Sequence, residues 1–342
     1  MEYRDFGRTG VPVSVICLGC MNFGGKTPED ESIRIIDHAI DQGVNFLDTA
    51  NVYSRGESEK VTGKALKGKR EKIFLATKVH GRMDDDDVMA AGNSRRHIIE
   101  QCEASLKRLG TDYIDLYQIH RPESQTPIDE TLRALDDLIR AGKVRYVGTS
   151  SFTAWQIMES LWAAKELGLN RFVSEQPPFH LLDRSIEREL LPMARTYGIA
   201  VIPWSPLARG FLTGKYKRGE DVPGDSRFAG EINRSDRFGY RTKQHFSDLA
   251  YDVLAVLEDL ANEKGKSMSQ VALAWVAAQP GVTSPIIGPR TMEHLEDNLG
   301  AVGIEFSEED LRRLDEVSAP ETAIVNYYTG QMMDFKPPQH RW

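Results

Sequence analysis

The sequence lacks the features that would place it in several broad classes. It has three cysteines in 342 residues, Cys17, Cys20 and Cys102, an odd number that fits a reducing compartment better than a disulfide framework. No run of 18 apolar residues occurs, so no segment has the length that a membrane-crossing helix needs. The opening residues MEYRDFGRTG show no apolar signal-peptide core, and the expectation is a soluble, cytoplasmic protein. Positive charge is not in excess either. The 43 Lys and Arg are outnumbered by 51 Asp and Glu, for a net charge of −8, which argues against broad binding to nucleic acid or acidic membrane. The sequon Asn233-Arg234-Ser235 means nothing without a secretory route. Cys17 and Cys20 form a C-x-x-C in ICLGC, but at a strand end rather than opening a helix. Two small residues packed in a strand and turn is therefore the preferred reading over a redox pair.

What is present is a repeated pattern. The segment YRDFGRTGVPVSV places turn residues Gly7 to Gly10 between two short strand candidates, a hairpin over residues 3–16. After it, short β-branched and apolar runs alternate with amphipathic helical stretches. The expected strands are Val15–Leu18, Asn45–Asp48, Ile73–Lys78, Ile114–His120, Val144–Thr149, Phe172–Gln176, Ala200–Trp204 and Ser284–Gly288, starting 30, 28, 41, 30, 28, 28 and 84 residues apart. A step of about thirty is one strand–helix unit. Thr27-Pro28 and Thr126-Pro127, each followed by acids, read as helix starts. Gly43, Gly142 and Gly198 stand where helix C-caps belong. Eight strand–helix units, most at an even step, favour a closed α/β (β/α)8 TIM barrel over a doubly wound sheet, as a single domain over 1–342.

Two segments exceed the step and the C-terminal tail is expected to add a third rim segment; long irregular segments at barrel strand ends are usually functional. They are 79–97 after the third barrel strand, 208–245 after the seventh, and the tail 319–342, all expected at the C-terminal rim. The acids Asp84–Asp87 in the first read as a solvated loop tip, and no metal is called for.

Asp48, Tyr53, Lys78 and His120 lie at or just past the ends of the second, third and fourth barrel strands, so the barrel would gather them at one mouth. Singly, each is a solvated or structural side chain. Together an acid, a phenol, an ammonium and an imidazole form a proton donor. A phenol has a reference pKa near 10, and a nearby ammonium favours the phenolate. At about 4 Å and an effective dielectric of about 20 that attraction is roughly 4 kcal/mol before solvation is subtracted. An aspartate would keep the lysine charged, and a histidine would orient the oxygen receiving the proton, as on a carbonyl being reduced.

The segments GVNFLDTANVYSRGESEKVTGKAL, IDLYQIHRP and IIGPRTMEHLEDNL resemble, in order, the three signatures of the aldo-keto reductase family, including its branch of potassium-channel β subunits. The resemblance spans nearly the whole chain. It implies hydride transfer from NADPH to an aldehyde or ketone, with the family's tetrad falling on Asp48, Tyr53, Lys78 and His120, and Tyr53 as general acid. The family binds NADP(H) without a Rossmann fold, and no G-x-G-x-x-G occurs here. The cofactor positions it implies start with Gly19, Cys20, Met21 and Asp48. Ser150, Ser151 and Gln176 would meet the carboxamide, Ser151 standing where Asn is more common. Trp204 would stack on the nicotinamide. Ser205, Leu207, Gly210, Leu212 and Lys215 would cradle the pyrophosphate. Gly288, Arg290, His294, Asp297 and Asn298 would hold the adenosine end, His294 standing where Gln is common. Arg290 offers a fork for a 2′-phosphate, which favours NADP over NAD.

The substrate pocket is expected from Met21, Phe23, Tyr53, His120 and Trp204, apolar and aromatic groups suited to a bulky carbonyl compound. The Arg- and Asp-rich segment 208–245 suits a polar or sugar-like one. Aldehyde, ketone, keto-sugar and reverse alcohol oxidation are all compatible with it. A Schiff-base aldolase using Lys78 is a rival, disfavoured by an aspartate that would keep the amine charged. A cofactor-binding regulatory subunit of a membrane channel is the non-enzymatic rival.

Overall fold

The computed structural model describes residues 1–224, 226 and 228–325. A two-stranded antiparallel hairpin, β1 (Tyr3–Asp5) and β2 (Pro12–Ser14), precedes eight parallel strands. These are β3 (Cys17–Gly19), β4 (Phe46–Asp48), β5 (Phe74–Val79), β6 (Ile114–Ile119), β7 (Val144–Ser150), β8 (Ser174–Gln176), β9 (Ala200–Val201) and β10 (Ile286–Ile287). They pair in the order β10-β3-β4-β5-β6-β7-β8-β9. Thr283 N donates to Val201 O and Ile286 N to Pro203 O, each at 2.8 Å, joining the two ends. The fold is the (β/α)8 barrel, with helices around the strands.

All eight expected strands are present with shifted ends. β9 and β10 shrink to two residues each because prolines flank them. Pro203 and Pro285 have no N–H for a ladder, although Pro203 still accepts across the seam. Gly198, at φ 66°, is the left-handed C-cap of the helix Leu190–Tyr197.

Alternation along the strands separates two cores. Leu47, Leu75, Tyr117 and Val147 face the helices. Phe46, Phe74, Ala76, Leu116 and Cys17 fill the barrel with Phe6 of the hairpin. The rings of Phe6, Phe46 and Phe74 pack with centroids 4.8–5.6 Å apart. The hairpin therefore plugs the N-terminal end, leaving the C-terminal end as the open one. Cys17, Cys20 and Cys102 are free and buried, and burial pushes the Cys20 and Cys102 thiols up to about 12. Burial thus disfavours the thiolates that redox exchange needs.

The rim segments are partly ordered by their own hydrogen bonds. In 79–97, Asp84 and Asp87 accept from the backbone of Asp86 and Met89, and Asp85 pairs with Arg55 at 3.0 Å. Segment 208–245 is less irregular than expected, holding a 3-10 turn at Ala208–Thr213 and a helix at Arg237–Gln244. Of the tail, 319–325 runs along the loop after β8, where Val325 N donates to Leu182 O. Residues 326–342 lie outside the described residues. Among the described residues no helix is long and apolar enough to cross a membrane.

Candidate active site

Period-two alternation places the polar groups inside the barrel mouth. Along β4, Phe46 points in, Leu47 out and Asp48 in. β5 continues Phe74 in, Leu75 out, Ala76 in and so to Lys78. β6 runs Leu116, Gln118, His120. Register brings these positions level, with Asp48 opposite Ala76 and Lys78 opposite Gln118.

Asp48 and Lys78 are fully buried and ion-paired. Each of the three ammonium hydrogens has an acceptor: the Asp48 carboxylate, Thr49 O at 2.7 Å and the Tyr53 hydroxyl at 3.2 Å. Asp48 also accepts from Gln118 Nε2 at 3.0 Å and Gln176 Nε2 at 2.8 Å. A buried ion pair is tolerable when satisfied in this way. Burial works to lower the Lys78 pKa, but the Asp48 charge and the Tyr53 oxygen outweigh it, and the value is raised.

Tyr53 is aimed by a strained turn. Ser54 and Arg55 follow it at φ 48° and 54°, left-handed values that non-glycine residues seldom adopt. Similar values recur at Ser151, Ser205, Ala208 and Arg209 around the same mouth. The Tyr53 ring meets the His120 ring edge-on, centroids 5.7 Å apart. Burial first, then the charges of Lys78 and Arg121 with His80, lowers His120 well below the usual histidine value, so its ring is neutral at pH 7.

Above the tetrad a cavity of about 840 Å³ opens. One end is lined by Met21, Tyr53, His120, Arg121, Ser150, Gln176 and Trp204. The other is lined by Lys215, Gly288, Arg290, His294, Asp297 and Asn298, with Ser205, Leu207, Arg209 and Gly210 between them. The wall at Gly288 is bare backbone: a Cβ there would lie 2.7 Å from Met21 Sδ. Arg290 has no carboxylate within 4 Å among the described residues, and it directly precedes the helix Met292–Leu299, capped by Thr291.

The model of the aldo/keto reductase family matches residues 15–319. The chain belongs to that family. The chain is 41% identical to the uncharacterized oxidoreductase YrpG of Bacillus subtilis, covering 93% of this chain and 96% of that protein. It is 35% identical to versiconal hemiacetal acetate reductase of Aspergillus parasiticus, covering 94% and 98%. It is 39% identical to a probable voltage-gated potassium channel subunit beta of Arabidopsis thaliana, covering 89% and 92%.

The cavity gathers most of the residues expected from the sequence: Met21, Tyr53, His120, Ser150, Gln176, Trp204, Ser205, Leu207, Gly210, Lys215, Gly288, Arg290, His294, Asp297 and Asn298. Asp48 and Lys78 lie beneath its floor. Phe23 does not reach it. A turn closed by Phe23 N to Cys20 O at 3.0 Å folds Phe23 into the core, fully buried. The side chains of Cys20 and Leu212 are core as well, and Gly19 and Ser151 are outside the lining, Ser151 accepting from Arg121.

Several residues were not anticipated. Gln118 is a strand-interior position whose inward phase with His120 could have flagged it. Arg121 follows His120 in the same motif. Arg209 grips Glu231 with two bonds of 2.7 and 2.8 Å across the cavity, and Thr242 adds a third to that carboxylate at 3.0 Å. Arg241 lines the wall. A pairing between positions 22 apart within a long loop leaves no periodic trace.

Proposed function

We propose that this protein reduces an aldehyde or ketone with NADPH, Tyr53 serving as general acid. The observation that carries the reading is a buried ammonium donating to a phenol at the floor of a cavity large enough for a dinucleotide. NADPH, when bound, supplies the hydride. Trp204 offers a flat face beside Tyr53, Ser150 and Gln176 offer polar groups for a carboxamide, and Arg290 and Lys215 supply cations for phosphate groups.

The chain's own residues handle the proton. Tyr53 gives its hydroxyl proton to the carbonyl oxygen as negative charge develops there. Lys78 donates to the phenol oxygen and stabilises the phenolate left behind. Asp48 keeps Lys78 charged and aimed, and Gln118 and Gln176 hold Asp48. Neutral His120 is positioned to hydrogen-bond the same substrate oxygen and orient it. A Lys78 held charged, with all three hydrogens engaged, is unsuited to Schiff-base attack.

The test is a titration of tryptophan fluorescence with NADPH and NADH, followed by a panel of aldehydes and ketones. Tight NADPH binding, weaker NADH binding and carbonyl-dependent NADPH oxidation are expected. Binding of neither nucleotide would overturn the reading. The likeness to a plant channel subunit supports a second reading, a cofactor-binding regulatory role. Tight NADPH binding with no turnover on the whole panel, together with co-purification of a membrane protein, would favour it.

A further inference from the structure

The cations of the cavity are not alike. Lys78 is neutralised by Asp48 and Arg209 by Glu231. Arg290 stands at the far end, with the residues matched to a nucleotide. Arg121 is different. It lies at the chemical end, directly after His120, with its guanidinium carbon 6.0 Å from the Trp204 ring centre. Among the described residues it has no carboxylate within 4 Å, and its one hydrogen bond goes from Nη1 to the Ser151 hydroxyl. An arginine has five N–H donors, so the fork retains donors for a ligand. Glu175, an acid that feels the Arg121 charge, is fully buried. Its oxygens are taken by Thr149 at 2.5 Å and Phe152 N at 3.1 Å, and burial pushes it up to about 8. Burial thus disfavours a charge on Glu175 that would offset Arg121. His120 is neutral. Arg121 therefore lines the same cavity as Tyr53 and His120 with donors left over.

The geometry points to Arg121 as an anion subsite that selects carbonyl substrates carrying a carboxylate, binding it through the guanidinium fork while the carbonyl rests between Tyr53 and His120. The assignment of a substrate class rests on the reductase reading above; the anion subsite itself does not. A planar carboxylate matches the fork in two parallel bonds. A neutral analogue leaves the guanidinium without that partner, the kind of mismatch on which selectivity depends.

Two variants separate charge from structure. Arg121→Gln removes the charge but keeps a donor that can reach Ser151, and Arg121→Lys keeps the charge but loses the fork. The assay compares kcat/KM for 4-carboxybenzaldehyde with that for methyl 4-formylbenzoate at saturating NADPH. The protein is expected to prefer the acid. Arg121→Gln should lower the acid-to-ester ratio on the order of 10- to 100-fold, the range of a charge-assisted hydrogen bond, chiefly through KM for the acid. Arg121→Lys should restore part of the ratio. A ratio equal in the protein and the Gln variant, or a preference for the ester, would overturn the proposal. Calorimetry with benzoate, without nucleotide, gives an independent readout, with binding weakened at least tenfold by Arg121→Gln. If neither these aldehydes nor any of the carbonyl panel is turned over but benzoate binding still depends on Arg121, the reductase reading falls and the anion subsite stands. Benzoate binding indifferent to Arg121 refutes the subsite.

Discussion

Replacing Asp48 with asparagine keeps the shape of the floor and removes its negative charge, which makes it the sharpest probe of the buried pair. Lys78 would still have Thr49 O and the Tyr53 hydroxyl, but not a counter-ion. Breaking a buried pair by removing one partner costs about 3–5 kcal/mol. For a chain of this size that corresponds to a fall in Tm of about 4–7 °C. The pH dependence is more diagnostic than the size. In the parent, the Lys78 pKa is raised. Its stabilisation is complete below the ordinary lysine value of about 10.4 and is lost only as pH rises through the higher folded value. In Asp48→Asn burial, the largest influence, is opposed only by the Tyr53 oxygen and lowers the lysine, so the folded state sheds a proton that the unfolded chain keeps. The variant's stability should then rise with pH, and its deficit against the parent should shrink between pH 6 and pH 9. Urea unfolding of both proteins at pH 6, 7.5 and 9 measures this. A variant within 1 kcal/mol of the parent at pH 6, with an unchanged pH profile, would refute the pairing.

Two further outcomes follow from the same structure. Arg290→Leu should weaken NADPH binding by about 10- to 100-fold, the range of a lost charge-assisted bond, and change NADH binding little; equal losses for both nucleotides would remove Arg290 from the 2′-phosphate. Stability should fall by about 2 kcal/mol from pH 6 to pH 5. Burial lowers His180 to about 3 and His245 to about 4, with His120 also well below its usual value, so the unfolded chain takes up protons that the folded one refuses. Glu175, raised to about 8 by burial, opposes this by roughly one group's share. Urea unfolding that shows equal or greater stability at pH 5 would contradict these burial assignments.

The barrel is legible in the sequence because its signals are local. β-Branched runs, proline-marked helix starts and glycine caps recur at a step of about thirty, and the inward phase of Asp48, Lys78 and His120 follows from alternation within single strands. The strand ends are less so, since whether β9 stops at Val201 depends on what Pro203 cannot donate across a seam formed 80 residues later. Phe23 shows the limit for pocket residues. An aromatic side chain in a strand-end loop reads equally as pocket or core, and a single turn bond to Cys20 decides between them. The Arg209–Glu231 clasp and the lack of a carboxylate within 4 Å of Arg121 among the described residues are tertiary facts, settled by what other segments bring near those side chains.

The most direct test of the central claim is the turnover of Tyr53→Phe with saturating NADPH and a substrate from the carbonyl panel, read beside its NADPH affinity. A loss of kcat of at least about a hundredfold, the scale of a general acid, with NADPH affinity within a few-fold of the parent, is the predicted result. A variant that kept most of its kcat would contradict it, because the proton would then come from somewhere other than the phenol held by Lys78.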